Sequence, residues 1–456
     1  MSSQRMLSSL FSMAALCGAC IAPAAAAQAA GVELGAELGH TAIKKGSDRV
    51  YLRLSLKTLA AKKDSNRTPI NVALVIDRSG SMSGDRIVAA KKGAQVALER
   101  LSSDDFVSLV SYNHEVDVLA EADRLGSGRD KLDRAIEKLA ASGTTALYAG
   151  VQEGGEQVKA HVSDLKVNRV VLLSDGLANV GPSSPAELAE LGRKLAAKGI
   201  SVSTIGLGLE YNEDLMQRLA AASDGNHVFV ERPSDLAEIF DREFGDALSV
   251  AARDIIIQIE CNTGFAPKRV LGRDAEISGN RITLKLNQLP ADTERYVVVE
   301  LDATASDAAA SEGEVANVTV DYVDLESGTR TKSDSKVTAR FTDTSDEAEA
   351  SINKTVMSQV TEQIATENSE KAVELRDAGD ISAARKVLED NALYLNKQKS
   401  ALSMGSSAAP TASISALDKL ETKSREAAEN LEGESWDRTR KMMRHDQHKA
   451  KVQQSY

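Results

Sequence analysis

Ile70-Asn71-Val72-Ala73-Leu74-Val75-Ile76-Asp77-Arg78-Ser79-Gly80-Ser81 is a nearly unbroken apolar run that stops on a carboxylate and two hydroxyls. A run of this kind suits a strand covered on both faces, as in the middle of a parallel sheet. From here to about residue 250, strand and helix patterns alternate. Ile87, Ala90, Ala94, Ala97 and Leu101 lie at helical spacing after Gly84. Phe106-Val107-Ser108-Leu109-Val110, Val170-Val171-Leu172-Leu173, Ile200 to Gly206 and Val228-Phe229-Val230 read as strands. Helical stretches are expected over about 127–141, 147–161, 184–198, 212–222 and 234–248. Alternation at this spacing predicts a doubly wound, mostly parallel, Rossmann-like α/β domain.

The flanks differ. Val50-Tyr51-Leu52-Arg53-Leu54-Ser55-Leu56 alternates as a half-buried strand, and residues 251–342 hold short alternating runs split by turn residues. These predict an accessory β-sandwich at 251–342, which the strands of 30–67 join, so that the α/β domain at 68–250 is an insertion. Residues 343–456 turn helical: Val356, Val360 and Ile364 form a stripe, and Asp377-Ala378-Gly379-Asp380 reads as a turn between two helices. The stretch Trp436 to Lys451 is basic and is expected to be a solvated helix, with His445 and His448 exposed on it.

Residues 1–29 read as a secretory signal peptide. Arg5 precedes the apolar stretch Met6 to Ile21, and an Ala-rich segment offers small-residue cleavage sites. The expectation is therefore an exported protein, periplasmic or at the cell surface, without a transmembrane segment and in peripheral association with the envelope. Cys17 and Cys20 would leave with the signal. The remaining Cys261 ends a strand-like run, where a buried apolar role is expected. A net charge of −12 argues against a nucleic-acid partner, and 4% aromatic content argues against a stacking platform for bases or sugars.

Three loops sit where the predicted sheet strands end, the place where open α/β sheets bind ligands. The first offers Asp77, Ser79 and Ser81; the second, Gly143-Thr144-Thr145-Ala146-Leu147, offers a threonine; the third offers Asp175. Oxygen donors of this kind suit a hard cation, Mg²⁺ or else Mn²⁺ or Ca²⁺. With few carboxylates the ion keeps positive charge and recruits an anionic oxygen, for which the carboxylate of a protein partner's Asp or Glu is the natural source. The sequence Val75-Ile76-Asp77-Arg78-Ser79-Gly80-Ser81-Met82, with Thr145 and Asp175-Gly176, resembles the metal-ion-dependent adhesion site of von Willebrand factor type A (VWA) domains. The resemblance covers about 68–250. It implies metal ligation by Asp77, Ser79, Ser81 and Thr145, with Asp175 acting through water. The flanks are similar to those of a group of exported bacterial VWA proteins.

No phosphate-binding glycine loop, His-Glu-x-x-His or G-x-S-x-G motif is present. A metal-assisted hydrolase competes with the binding-module reading, but hydroxyl ligands hold metal weakly and no general base stands out. The expectation is a non-enzymatic, divalent-cation-dependent adhesion or assembly module. In the alternative, the sandwich or the helical tail makes the essential contact.

Overall fold

The computed structural model describes residues 31–46, 49–59, 67–303, 312–404 and 409–453. The expected signal peptide, with Cys17 and Cys20, lies outside these residues. In chain order, β1 (Val32–Leu38), β2 (Ala42–Lys44) and β3 (Arg49–Thr58) come first. There follow β4 (Ile70–Asp77), α1 (Asp85–Arg100), β5 (Phe106–Tyr112), β6 (Val116–Arg124), α2 (Leu125–Glu137) and α3 (Leu147–Lys159). Next are β7 (Val167–Ser174), α4 (Pro185–Ala196), β8 (Ser201–Leu207), α5 (Glu213–Ala222), β9 (His227–Val230) and α6 (Leu236–Leu248). Strands β10 (Val250–Cys261), β11 (Phe265–Leu271), β12 (Glu276–Ser278), β13 (Arg281–Pro290), β14 (Glu294–Ala303), β15 (Glu312–Asp324) and β16 (Thr329–Thr342) succeed them. The last elements are α7 (Ser345–Ala350), α8 (Lys354–Asp377), α9 (Ile381–Ser403), α10 (Thr411–Glu429) and α11 (Glu434–Val452).

The central sheet has the order β6-β5-β4-β7-β8-β9, parallel except for the antiparallel edge strand β6. This is the doubly wound α/β class expected from the alternation. Every residue of β4 and of β7 is buried, because helices cover both faces. On one face Ile87, Ala90, Ala94 and Ala97 of α1 pack with Phe240 and Phe244 of α6 over Leu74 and Ile76. On the other, Val151 and Val158 of α3 and Leu188 and Leu195 of α4 pack over Ala73 and Val75. Small side chains at the α3 contact let the helix approach closely: a Cβ at Gly154 would lie 2.4 Å from Val75 Cγ2. Helix α4 begins on a capping box between Ser184 and Glu187, with Pro185 at its first position. The chain leaves β4 toward β5 on one side and returns through β7 on the other. The C-terminal ends of β4 and β7 thus stand together at the switch point of the sheet, where open α/β sheets bind ligands.

Two further sheets, β1-β3-β14-β11 and β12-β13-β10-β15-β16-β2, enclose one apolar core that includes Leu52, Leu54, Ile257, Val299 and Val320. Strands preceding and following the α/β domain share this core. Cys261 is buried in it, and burial pushes its thiol up to about 11. Arg253 ties the sandwich to the α/β domain, donating through Nη1 to the carbonyls of Ser163 and Lys166, each at 2.6 Å.

The C-terminal region is helical, as expected, with α8 and α9 joined at Gly379, whose φ of +88° admits the turn, and with Asp380 capping α9 through its carboxylate. One expectation fails here. Helix α11 is basic but not solvated: Trp436, Lys441, Gln447 and His448 are buried. His445 Nδ1 meets the carbonyl of His227 at 3.0 Å and His448 Nε2 that of Gly225 at 2.9 Å, so neither histidine is a surface group. Arg440 pairs with Glu213, Asp214 and Asp377, and Arg444 pairs with Asp214. The acidic start of α5 is the complementary surface, so the basic charge is spent on an internal contact.

Candidate metal centre

Asp77 closes β4 and is fully buried. Its Oδ1 accepts the amide of Ser79 at 2.8 Å and its Oδ2 accepts the hydroxyl of Ser174 at 2.7 Å. Both contacts are neutral donors. Burial accordingly pushes the Asp77 carboxyl up to about 6, against the opposing hydrogen bonds from Ser79 and Ser174. A buried carboxylate without a cation beside it is unfavourable unless something positive arrives.

Ser79 and Ser81 lie on the tight turn after Asp77, where Gly80–Met82 forms one 3₁₀ turn and brings their hydroxyl oxygens to 3.0 Å. The second loop is laced to the first: Gly80 donates its amide to the Gly143 carbonyl at 2.9 Å, and Ser142 donates to the Arg78 carbonyl at 2.7 Å. Gly143 has φ +78°, and a Cβ there would lie 2.4 Å from His114 Nδ1, so the turn requires glycine. Gly80 is different: a Cβ there would meet only the Gly143 carbonyl, at 3.4 Å, so glycine is not needed to relieve crowding between Asp77 and the serines.

Thr145 is held by the third loop. Its amide donates to Asn179 Oδ1 at 2.8 Å, while its carbonyl accepts the amides of Asn179 and Val180 at 3.1 and 3.2 Å. Asn179 therefore sits at this face as a fastener of the threonine loop. Gly176 shows how the hydroxyls converge. A Cβ placed on it would lie 3.1 Å from Ser81 Oγ, 3.6 Å from Thr145 Oγ1 and 4.0 Å from Ser79 Oγ. Three hydroxyls from two loops surround one small volume that the absence of a side chain leaves open. All five residues singled out from sequence, Asp77, Ser79, Ser81, Thr145 and Asp175, belong to this cup.

Asp175 Oδ1 accepts the Ser81 hydroxyl at 2.7 Å. Its Oδ2 accepts Arg86 Nη1 at 2.5 Å, and the same nitrogen reaches Glu210 at 2.9 Å. Arg86 and Glu210 were not anticipated. A signal existed: Arg86 stands in the first turn of α1, where the helix dipole disfavours a cation unless a local anion compensates it. Tyr211, in the loop that carries Glu210, is buried against Gly206.

The donor set fits a hard divalent ion. Among the described residues no group of three or more His, Cys, Asp or Glu side chains could hold a metal. Any ion here would thus rest on hydroxyls and one or two carboxylates, a set matched to Mg²⁺, Mn²⁺ or Ca²⁺ rather than to a soft metal.

Comparison with known proteins agrees with this fold. Residues 71–242 match the family model of the von Willebrand factor type A domain. The chain is 27% identical over 259 residues to uncharacterized protein sll0103 of Synechocystis, covering 53% of this chain and 60% of that one. It is 29% identical over 215 residues to uncharacterized protein YfbK of Escherichia coli, covering 46% of this chain and 37% of that one. The match to these curated relatives therefore spans less than two thirds of their length. A solved von Willebrand factor type A protein from Catenulispora acidiphila superposes with a TM-score of 0.68 at 17% identity, over 87% of this chain and 97% of that one.

Proposed function

We propose that the von Willebrand factor type A domain carried at residues 71–242 acts here as a divalent-cation-dependent protein-binding module, and that its partner supplies an acidic side chain. The observation that carries this reading is the cup itself. Ser79, Ser81 and Thr145 direct hydroxyl oxygens at the volume beside Gly176, next to a buried Asp77 that has only neutral donors.

In this reading Asp77, Ser79, Ser81 and Thr145 hold the ion and Asp175 supports it through water. A bound Mg²⁺, Mn²⁺ or Ca²⁺ supplies a centre that accepts an external oxygen. The chain's own part is rigidity and charge. The laced loops keep the hydroxyls in place without reorganisation, and neutral ligands leave the ion short of negative charge. A carboxylate from a partner makes up that shortfall, which gives an adhesion or assembly contact rather than a reaction. The site of action is the bacterial envelope, after export. No helix among the described residues is long and apolar enough to cross a membrane. Helix α11 is engaged against α5 and β9, which argues for the metal face, rather than the tail, as the surface offered to a partner.

Affinity capture from envelope extract tests this reading, with the full chain as bait in Mg²⁺, in EDTA, and as Asp77→Ala in Mg²⁺. The expected result is a partner retained only by the unaltered chain in Mg²⁺. Equal retention under all three conditions would move the function to the sandwich or the helices.

A further inference from the structure

Arg86 occupies an unusual place for a cation. Beside a cup suited to a positive ion, a guanidinium already takes one oxygen of the second carboxylate. Asp175 is fully buried, its Oδ1 engaged by Ser81 and its Oδ2 by Arg86. Glu210 draws the same guanidinium outward, so Arg86 is shared between an inner and an outer carboxylate. Nη1 also lies 3.4 Å from the Ser81 carbonyl, on the metal loop itself. Of the two formal negative charges at the cup, Asp77 and Asp175, one is therefore neutralised from within.

We propose that Arg86 is a specificity-determining residue of this face: a built-in countercation on Asp175 that weakens the cup's hold on the divalent ion and strengthens the loaded site's hold on an acidic partner. The inference rests on the metal-dependent reading above and adds to it the reason a carboxylate is selected.

The argument is one of charge. A divalent ion next to two free carboxylates would have its charge cancelled by the protein and would have little need of a third. With Asp175 partly spent on Arg86, the ion retains net positive charge, and the guanidinium adds its own positive field for an arriving anion. Repulsion between the guanidinium and the ion lowers metal affinity at the same time. Glu210 sets the balance. When it holds Arg86 outward, less positive charge falls on Asp175; without it, the guanidinium bears on Asp175 alone.

The two halves of the proposal move in opposite directions on mutation, which a merely structural role for Arg86 would not do. The probes are Mn²⁺ alone, titrated calorimetrically into the full chain, and then acetate, titrated into the Mn²⁺-loaded protein and followed by the Mn²⁺ electron paramagnetic resonance signal. Arg86→Met is expected to bind Mn²⁺ about tenfold more tightly and acetate several-fold more weakly, both effects shrinking at high salt. Arg86→Lys, which keeps the charge, should stay near the unaltered protein in both. Glu210→Gln should shift both in the reverse sense to Arg86→Met, and it decides the matter alone should Arg86→Met not fold. Unchanged or weakened Mn²⁺ binding in Arg86→Met, or loss of both affinities together, would overturn the role of Arg86 and leave the metal site standing. Failure of the unaltered chain to bind Mn²⁺ would instead remove the metal-dependent reading and this inference with it.

Discussion

Lys441, on the last helix, donates through Nζ to the backbone carbonyl of Tyr211 at 2.8 Å across 230 residues of sequence. The same ammonium pairs with Glu213 Oε2 at 2.5 Å, both side chains being almost entirely buried. The loop it grips also carries Glu210, whose carboxylate meets Arg86. The C-terminal helix thus holds the residue next to Glu210, the outer carboxylate on Arg86.

Breaking this grip should be felt as stability. Lys441→Ala leaves the Tyr211 carbonyl without its donor and Glu213 with only Arg440. The expected cost is about 2 kcal/mol, read as a lower urea midpoint. Limited proteolysis should cut near residue 433 sooner than in the unaltered chain. An unchanged midpoint would show that α11 contributes little to the folded state.

The same interface should be acid-sensitive. His227 faces His445, His448 and Lys441; His445 lies near Asp446, Lys449 and Lys423; His448 lies near Arg273 and Asp224. Burial, the largest cause, lowers all three imidazoles, His448 to about 3. In the unfolded chain each titrates near the ordinary value of about 6.5. Below that pH the unfolded state binds protons that the folded state refuses, so stability is full above it and falls as the solution is acidified toward pH 3. The slope is up to about 1.4 kcal/mol per histidine per pH unit. Urea midpoints at pH 7.5 and 5 measure it, and His448→Asn should flatten the dependence. A midpoint that rises on acidification would contradict the assignment.

Gly176→Ala separates the cup from the fold. Gly176 has no positive φ, so alanine fits its backbone, but the new methyl would sit among the three hydroxyls. Divalent-ion affinity should fall more than tenfold while the melting temperature in EDTA changes little. Equal losses in both would show that Gly176 serves packing rather than the site.

Asn179→Ala removes the acceptor for the Thr145 amide and loosens the threonine loop without touching the Asp77–Ser81 loop. Ion affinity should drop several-fold, with a stability loss of about 1 kcal/mol. Calorimetric titration and thermal unfolding check the two halves separately.

Much of this was legible in the chain, for identifiable reasons. The run Ile70 to Ile76 is apolar throughout because β4 is covered on both faces, a signal that periodicity reads directly. Asp77, Ser79, Ser81 and Asp175 stood out because they close or follow β4 and β7 at the switch point of the sheet, and Thr145 because its loop, between α2 and α3, matches the threonine loop of the family resemblance. Arg86, Glu210 and Ser174 were missed because their roles depend on partners far along the chain, such as Glu210 124 residues beyond Arg86. Helix α11 misled for a related reason. A run of Lys and Arg looks the same whether water or Glu213, Asp214 and Asp377 receives it, and only the fold brings those carboxylates to it.

The most direct test of the central claim is a calorimetric titration of Mg²⁺ into the full chain and into Asp77→Ala. Asp77 is a buried carboxylate with only neutral donors, so its removal should leave the fold intact, as circular dichroism would verify. The account predicts one Mg²⁺ bound per unaltered chain and none by Asp77→Ala. Equal binding by the two, or no binding by the unaltered chain, would contradict it.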